Sequence, residues 1–273
     1  MKKLKKLIKK FLLKTVWKYD EYKLASFLTA NGIGKGDTLV VHSSWLAQNG
    51  FTGTPLDFIN VMKSVITDDG LLVMMSMPYH NQSSAEFIRG GGVMKVRRSP
   101  SKMGLLTEVF RRGRDTRRSL SPTHPVLAWG RDAEQFVAGH QLCIEPFGKG
   151  SPFEKMLQRE AKIMVVDAPF STITFTHFLE DSVADQLPFL LYENEPLTGK
   201  VVDNEDVELE VPVKVLSEEA NARRREQHLV DYFIKEKVIK HSKLGATNFI
   251  FLECAEAYSG IHTMYRQHLS MFE

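Results

Sequence analysis

The chain of 273 residues is poor in cysteine, with Cys143 and Cys254 far apart in the sequence. Two distant cysteines provide neither a disulfide framework nor a zinc-binding cluster, so we expect a reducing, cytoplasmic environment. No apolar run reaches the roughly 20 residues that a membrane-spanning helix needs. A composition of 43% hydrophobic and 25% charged residues is typical of a globular protein. It excludes a chain that is mostly intrinsically disordered.

Acidic residues are absent before Asp20, whereas eight lysines lie in residues 1–18. The other 28 of the 36 basic residues face 33 acidic ones, which excludes a globally basic nucleic-acid-binding protein. Residues 1–20 are predicted to form a basic amphipathic helix, because apolar side chains recur there at helical spacing: Leu4, Leu7, Ile8, Phe11 and Leu12. No signal-peptide cleavage site follows. Two alternatives stay open, packing on protein and binding to an anionic membrane surface on the cytoplasmic face.

Continuous apolar runs alternate with amphipathic stretches along most of the chain. Residues 37–44 and 71–77 are predicted strands on either side of a helix over 55–66, which makes a βαβ unit. A further buried strand is predicted at 162–167, after helices at 104–112, 133–139 and 151–159. Because these strands are apolar throughout, both faces of the sheet should be covered. The predicted fold class is α/β, with α/β/α layers around a mixed, largely parallel sheet.

The remaining segments complete this prediction. The stretch 192–216 alternates Val or Leu with acids and is predicted to form a small β insertion. Helices are predicted at 171–183 and 218–238, and a strand at 248–254. Residues 80–102 are polar and glycine-rich, and we interpret them as a long loop that contacts substrate or cofactor. Since no repeat or linker divides the chain, residues 21–273 are predicted to form a single domain.

His177 and Glu180 are the first candidates for chemistry. They are three positions apart in a predicted helix, so their side chains share one face. A carboxylate in that position fixes the imidazole tautomer and stabilises its protonated form, which is the arrangement of a general base. A structural pair is the open alternative. Two ligands without a third do not make a metal site, and we expect no metal.

His42, Ser43 and Ser44 follow the first buried strand, where ligand-binding groups collect in open α/β sheets. Hydroxyls and backbone amides there suit a phosphate or a carbonyl group, and capping of the next helix is the open alternative. The sequence has no Gly-x-Ser-x-Gly elbow and no Gly-Lys-Ser phosphate loop. These absences disfavour a serine hydrolase and a nucleoside-triphosphate enzyme.

A second group of candidates is basic. Two short segments bring together guanidinium and ammonium groups that suit a polyphosphate: Arg97, Arg98, Lys102, Arg117 and Arg118. A solvated charged surface is the alternative interpretation.

Six short motifs follow one another over about residues 25–185. They are the strand that ends in His42-Ser43-Ser44, the strand Gly70–Pro78, the helix start at Met103-Gly104, and the segments Arg118–Gly130, Gly148–Pro152 and Thr174–Glu180. In this order they resemble the motifs of the aminoglycoside 3-N-acetyltransferase family. The resemblance implies an α/β/α fold and an N-acyltransferase with acyl-CoA as co-substrate. It assigns the base for the acceptor amine to His177 and Glu180.

The resemblance also guides the expected binding residues. We expect acyl-CoA to contact His42, Ser43, Ser44, Met103, Gly104, Arg118, Ser119 and Thr174. We expect the acceptor to contact Tyr79, His80 and His124. Where the family shows His-Pro-x-x-Ser, this chain has Ser121 in place of the His and Pro125 in place of the Ser, and His124 is the candidate to compensate.

The acceptor is less well defined, because the resemblance fades beyond residue 190. An aminoglycoside is polycationic and would favour an acidic pocket, for which the chain offers Glu193, Glu195, Asp203, Glu205 and Asp206. A nucleotide-linked amino sugar would favour the basic group. The basic N-terminus favours the second acceptor, in lipopolysaccharide biosynthesis beside the membrane, with aminoglycoside resistance as the alternative. A membrane-peripheral or partner-binding protein without turnover and a homo-oligomer also stay open.

Overall fold

The computed structural model describes residues 15–45 and 49–273. Its helices are α1 (Glu21–Ala30), α2 (Pro55–Ile66), α3 (Ser84–Arg89), α4 (Leu105–Arg111), α5 (Ala133–Val137), α6 (Pro152–Gln158), α7 (Phe175–Asp181), α8 (Glu218–Arg223), α9 (Glu226–Lys235) and α10 (Cys254–Arg266). Its strands are β1 (Thr38–Ser43), β2 (Leu71–Met75), β3 (Val93–Lys95), β4 (Arg117–Arg118), β5 (Val126–Gly130), β6 (Lys162–Val166), β7 (Leu197–Val202), β8 (Glu208–Val213), β9 (Lys240–Leu244) and β10 (Thr247–Glu253).

The predicted N-terminal helix falls mostly outside the described residues. The described part of it begins with a turn at residues 15–17, and Tyr19 then forms a β-bridge with Phe51. Membrane contact through residues 1–18 therefore stays a prediction, as does cytoplasmic localisation. Among the helices of the described ranges, none is long and apolar enough to cross a bilayer.

In helix α2 the local sequence determines where the helix begins, and the apolar face of the helix packs against the sheet. The Thr54 side chain accepts a hydrogen bond from the Asp57 amide, and the Asp57 carboxylate accepts one from the Thr54 amide, which forms a capping box. Pro55 occupies the first turn, where its missing N–H costs nothing. The predicted and observed bounds of this helix agree, and its apolar face, including Phe58 and Met62, is fully buried.

The main sheet has seven strands in the order β4-β5-β2-β1-β6-β10-β9. The prediction of a mixed sheet is confirmed. The expectation that it is largely parallel needs correction, because only β1 pairs in parallel, with β2 and with β6, whereas the outer pairings are antiparallel. Short connections account for two of these four antiparallel pairings: β9 and β10 form a hairpin, and β4 and β5 are separated by seven residues, too few for a parallel crossover.

Side chains on the two faces of this sheet pack into separate cores. Leu39 and Val41 of β1 pack with helices α1, α2 and α4, whereas Val40 packs with helices α5, α6, α7, α9 and α10. Successive residues of a strand point to opposite faces, so a strand that is covered twice must be apolar throughout. The structure thereby confirms the expected α/β/α layering.

A second sheet has three strands in the order β3-β7-β8. Strands β7 and β8 form an antiparallel hairpin, which confirms the β insertion predicted at 192–216. Strand β3 joins it by pairing in parallel with β7. The interpretation of residues 80–102 as a loop was therefore wrong over α3 and β3. A Ser83–Glu86 capping box begins α3, and β3 is a strand because it pairs with the distant strand β7.

The last part of the chain differs in two ways from the prediction. The single helix expected over 218–238 is two helices, α8 and α9, with Arg224 in an extended conformation between them. Helix α10 follows β10 directly and was not predicted. Its buried residues, which include Ala257 and Ile261, complete the core beneath α9.

Candidate active site

The side chains of His177 and Glu180 meet on helix α7, as the spacing predicted. His177 Nδ1 lies 2.9 Å from Glu180 Oε2, and the side chain of Glu180 is fully buried whereas 24% of the His177 side chain is exposed. Phe178 and Leu179, between them, point into the core and fix the helix face. Because Nδ1 is held by the carboxylate, Nε2 is the nitrogen that can accept a proton.

Arg224 completes this arrangement and was not identified from the sequence. The break between α8 and α9 lets its guanidinium donate to both oxygens of Glu180, from Nε to Oε1 at 2.6 Å and from Nη2 to Oε2 at 2.7 Å. Burial by itself raises the pKa of Glu180, but the charges and hydrogen bonds of His177 and Arg224 outweigh it and lower the pKa. Glu180 is therefore held as a carboxylate that orients His177.

His177 lines a cavity of about 420 Å³, which we call the His177 cavity. Its wall includes Tyr79 and His124, two of the three residues expected to contact the acceptor. The rings of His124 and His177 both pack against Phe147, with centroid separations of 4.5 Å and 4.9 Å. His124 is partly buried, and loss of solvent around its ring lowers its pKa well below the usual value, so it is a neutral imidazole beside His177. Further lining residues are Glu86, Arg89, Glu193, Glu218, Asn221 and Arg224.

A second cavity of about 410 Å³, the strand-end cavity, lies at the carboxyl ends of β1, β2 and β6. It brings together most of the residues expected to contact acyl-CoA: His42, Ser43, Ser44, Met103, Gly104 and Thr174. Lys102 and His80 also line it, so His80 lies here rather than with Tyr79 and His124. This position is where open α/β sheets bind ligands.

Gly104 shows why the backbone at this cavity needs glycine. Its φ of +108° is in the region that L side chains rarely adopt, and its Cα side faces the carbonyl oxygen of Ser43, which would lie at an ordinary contact distance of 3.5 Å from an added Cβ. Gly104 precedes helix α4, so the chain turns sharply beside the end of β1. The two segments that resemble family motifs are thereby brought into contact.

The two cavities adjoin along two segments of the chain. Thr174 lines the strand-end cavity, and His177, one helical turn later, lines the His177 cavity. After β2, Tyr79 lines the His177 cavity and His80 the strand-end cavity. Ligands in the two cavities would therefore meet beside helix α7.

Arg118 and Ser119 lie in neither of these cavities. Arg118 is 7% exposed and donates hydrogen bonds to the backbone carbonyl oxygens of Ser76, Val96 and Ser99. The Ser119 hydroxyl lies 2.9 Å from His140 Nδ1. Both side chains thus hold neighbouring segments in place, and contact of either with acyl-CoA stays a prediction.

Buried histidines make stability dependent on pH. Burial lowers the pKa of His42 to about 4, and burial lowers the pKa of His140 to about 4 although its hydrogen bond to the Pro146 carbonyl opposes this. In the unfolded chain a histidine titrates near 6.5, so between these values the unfolded state binds more protons than the folded state. We expect the free energy of unfolding to fall by about 2 kcal/mol for each histidine between about pH 7 and about pH 5.

Urea denaturation at both pH values measures this loss. His140→Gln should reduce the difference between the two pH values by about 2 kcal/mol, whereas His241→Gln, on the exposed edge strand β9, should leave it unchanged. An unchanged difference in His140→Gln would contradict the assignment.

Other residues near His177 gave no recognisable signal in the sequence. Glu86 and Glu218 reach the His177 cavity from α3 and α8, far apart in the chain. Glu226, at the start of α9, is partly buried; burial raises its pKa, and the charge of His177 opposes this shift.

Within residues 15–45 and 49–273, no group of three or more His, Cys, Asp or Glu side chains is placed to bind a metal ion.

Comparison with known proteins identifies relatives of the chain. The model of the aminoglycoside 3-N-acetyltransferase family matches residues 40–266. The SPbeta prophage-derived aminoglycoside N(3')-acetyltransferase-like protein YokD of Bacillus subtilis (strain 168) is 25% identical, over 92% of this chain and 93% of that protein. Aminoglycoside N(3)-acetyltransferase III of Pseudomonas aeruginosa is 26% identical, over 58% of this chain and 62% of its own length. The solved structure of AAC-IIIb in binary complex with CoASH has the same fold, with a TM-score of 0.77, 20% identity, and coverage of 92% of this chain and 98% of that one.

Proposed function

The chain belongs to the aminoglycoside 3-N-acetyltransferase family, and we propose that it transfers an acyl group from acyl-CoA to a primary amine of an aminoglycoside. Membership of the family confirms the predicted class of enzyme, an N-acyltransferase. It also agrees with the prediction that acyl-CoA is the co-substrate. The observation that carries the proposal is the position of His177, which is held by Glu180 and Arg224 on the wall of a cavity.

His177 supplies the proton acceptor that N-acylation needs. An aliphatic amine is mostly protonated at neutral pH, so it must lose a proton before or while its nitrogen attacks. Bound acyl-CoA supplies the thioester carbonyl as the electrophile. Nε2 of His177 accepts the proton, and Glu180, already bonded to Nδ1, stabilises the resulting imidazolium. The amide C–N bond forms as the thioester C–S bond breaks, and coenzyme A leaves as a thiolate that takes up the proton from the imidazolium. Arg224 keeps Glu180 ionised and correctly oriented for this step.

The strand-end cavity fits the donor. Lys102 offers a cation for phosphate groups, and the backbone turn at Gly104 leaves room beside Ser43. The hydroxyls of Ser43 and Thr174 supply polar groups for an amide or carbonyl. Because this cavity adjoins the His177 cavity at Thr174, a donor held there would present its acyl end towards His177.

The charge of the His177 cavity favours a polycationic acceptor. Glu86, Glu193 and Glu218 line it, and Arg89 is the cation that opposes them because Arg224 is paired with Glu180. These carboxylates would repel the diphosphate of a nucleotide-linked amino sugar. The relatives are also aminoglycoside acetyltransferases by name. Both observations favour an aminoglycoside as the acceptor over the nucleotide-linked amino sugar that the basic N-terminus suggested.

A direct assay tests the proposed function. The full chain is incubated with acetyl-CoA and, in turn, with a panel of aminoglycosides and of nucleotide-linked amino sugars, and thiol release and product mass are recorded. We expect acetylated aminoglycoside and amine-dependent thiol release. Thiol release without an acetylated amine would indicate hydrolysis, and acetylation confined to nucleotide-linked sugars would contradict the acceptor.

Acceptor affinity should depend on the cavity carboxylates. Replacing Glu193 and Glu218 together by glutamine should raise the KM for an aminoglycoside by about tenfold or more, because each removes an ionic hydrogen-bond acceptor for an ammonium group. The value of kcat should stay within about twofold, since the carboxylate that holds His177 is Glu180 and is unchanged in this variant. Glu195→Gln/Glu205→Gln is the matched control, because it removes two charges at exposed residues that do not line the cavity. Equal KM values in both variants would exclude this role.

A further inference from the structure

A third cavity, of about 580 Å³, lies beside the edge strand β4 and shares no lining residue with the two cavities described above. We call it the arginine cavity, because five guanidinium groups line it: Arg97, Arg111, Arg112, Arg117 and Arg118. They come from three parts of the chain, the segment after β3, the end of α4 and strand β4. The fold therefore concentrates positive charge at one place away from the transfer chemistry.

Carboxylates compensate only part of this charge. Glu108 is bonded to both Arg111 and Arg112 at 2.8 Å, and Glu134 is bonded to Arg117 at 2.7 Å. Two carboxylates thus face five guanidinium groups.

The remaining two arginines, Arg97 and Arg118, contact backbone oxygens. Arg97 donates to the carbonyl oxygen of Asn204 at 3.3 Å, and Arg118 donates to carbonyl oxygens alone. The cavity carries an excess of positive charge.

Arg118 makes this excess costly for the free protein. The residue is 7% exposed, and among the described residues no group pairs with its Nε. Burial lowers its pKa to about 9, and it is still a cation at neutral pH. A buried cation without a carboxylate is stabilised when an anion enters the same space.

We propose that the arginine cavity binds a polyphosphate group, such as the diphosphate or triphosphate of a small molecule, at a site separate from the acyl donor. Guanidinium groups match phosphate oxygens with paired hydrogen bonds, and several converging guanidinium groups suit a ligand with more than one phosphate. A cavity of this size is in the range that holds a nucleotide-sized molecule. The site makes no use of His177 and does not depend on the proposed acceptor.

Calorimetric titration of the full chain with inorganic tripolyphosphate tests this proposal. The variant Arg97→Gln/Arg117→Gln removes two exposed cations that line the cavity. The variant Arg98→Gln/Arg114→Gln changes the net charge equally, at exposed neighbouring positions that do not line it. We expect binding by the unmodified chain, a Kd weakened about tenfold or more in the first variant, and a change below about twofold in the second.

Competition with coenzyme A tests whether the arginine cavity is separate from the donor site. Saturating coenzyme A should leave the Kd for tripolyphosphate unchanged; displacement by coenzyme A would mean that the phosphates of the donor occupy the arginine cavity, and would overturn a separate site. Absence of binding, or equal weakening in the two variants, would overturn the proposal as well. Acyl transfer measured in parallel reports on the proposed function, so failure of one proposal is distinguishable from failure of the other.

Discussion

Replacement of His177 by alanine should lower kcat by about a hundredfold or more, because the proposed function assigns to this residue the role of general base for the acceptor amine. Affinity for coenzyme A should not change, since His177 lines the His177 cavity and not the strand-end cavity. Steady-state kinetics gives kcat, and calorimetry with coenzyme A gives the Kd. A loss of both would indicate that the substitution disturbs the fold rather than the chemistry.

Two companion variants sharpen this test. His177→Gln retains a polar group that can bond to Glu180 but cannot act as a base near neutral pH, so its kcat should fall as far as that of the alanine variant. His241→Ala, on exposed strand β9, should retain the kcat of the unmodified enzyme. Ordinary turnover in either His177 variant would remove this residue as the proton acceptor.

Replacement of Arg224 by glutamine should cost stability and activity together. It leaves the fully buried Glu180 without its two hydrogen bonds from the guanidinium, and breaking a buried ion pair in this way costs about 3 kcal/mol or more. Urea denaturation measures the loss. Activity should fall at least about tenfold, because the carboxylate that orients His177 is no longer held in place.

The pH profile of Arg224→Gln separates positioning from stability. Arg224 helps to lower the pKa of Glu180, so without it this carboxyl takes up a proton at a higher pH. The acidic limb of the kcat profile should therefore move to higher pH, and Arg224→Lys should recover part of the shift by restoring the charge. Arg223→Gln, which breaks a surface pair with Glu219, should cost less than about 1 kcal/mol and leave the profile unchanged.

The central strands were predictable because burial on both faces leaves a strong local pattern. Residues 71–75 and 162–166 are apolar in succession, and the caps of α2 mark its bounds without reference to the rest of the chain. Strand β3 left no such pattern, since three residues become a strand only by pairing with β7 about a hundred positions later. Helices α3 and α10 were recognisable in principle, through the Ser83–Glu86 capping box and the helical spacing of Cys254, Ala257 and Ile261.

The candidate site also contains residues that local spacing predicts and residues that only the fold brings together. His177 and Glu180 are three positions apart, so helical geometry alone brings them together. Arg224 is 44 positions from Glu180, in a break between two helices, and no local rule connects them. The charge of the His177 cavity was equally hard to predict from the sequence, because Glu86, Glu193 and Glu218 converge there from three separate segments.

The shared border of the two cavities has a consequence for inhibitor design. Thr174 and His177 are separated along the helix axis by only about 4.5 Å, so a single compound with one arm in each cavity needs only a short bridge. Once the first arm is seated, the second is held at a high effective concentration, and a short bridge maximises that gain. Tethered compounds of this kind should bind far more tightly than either arm alone.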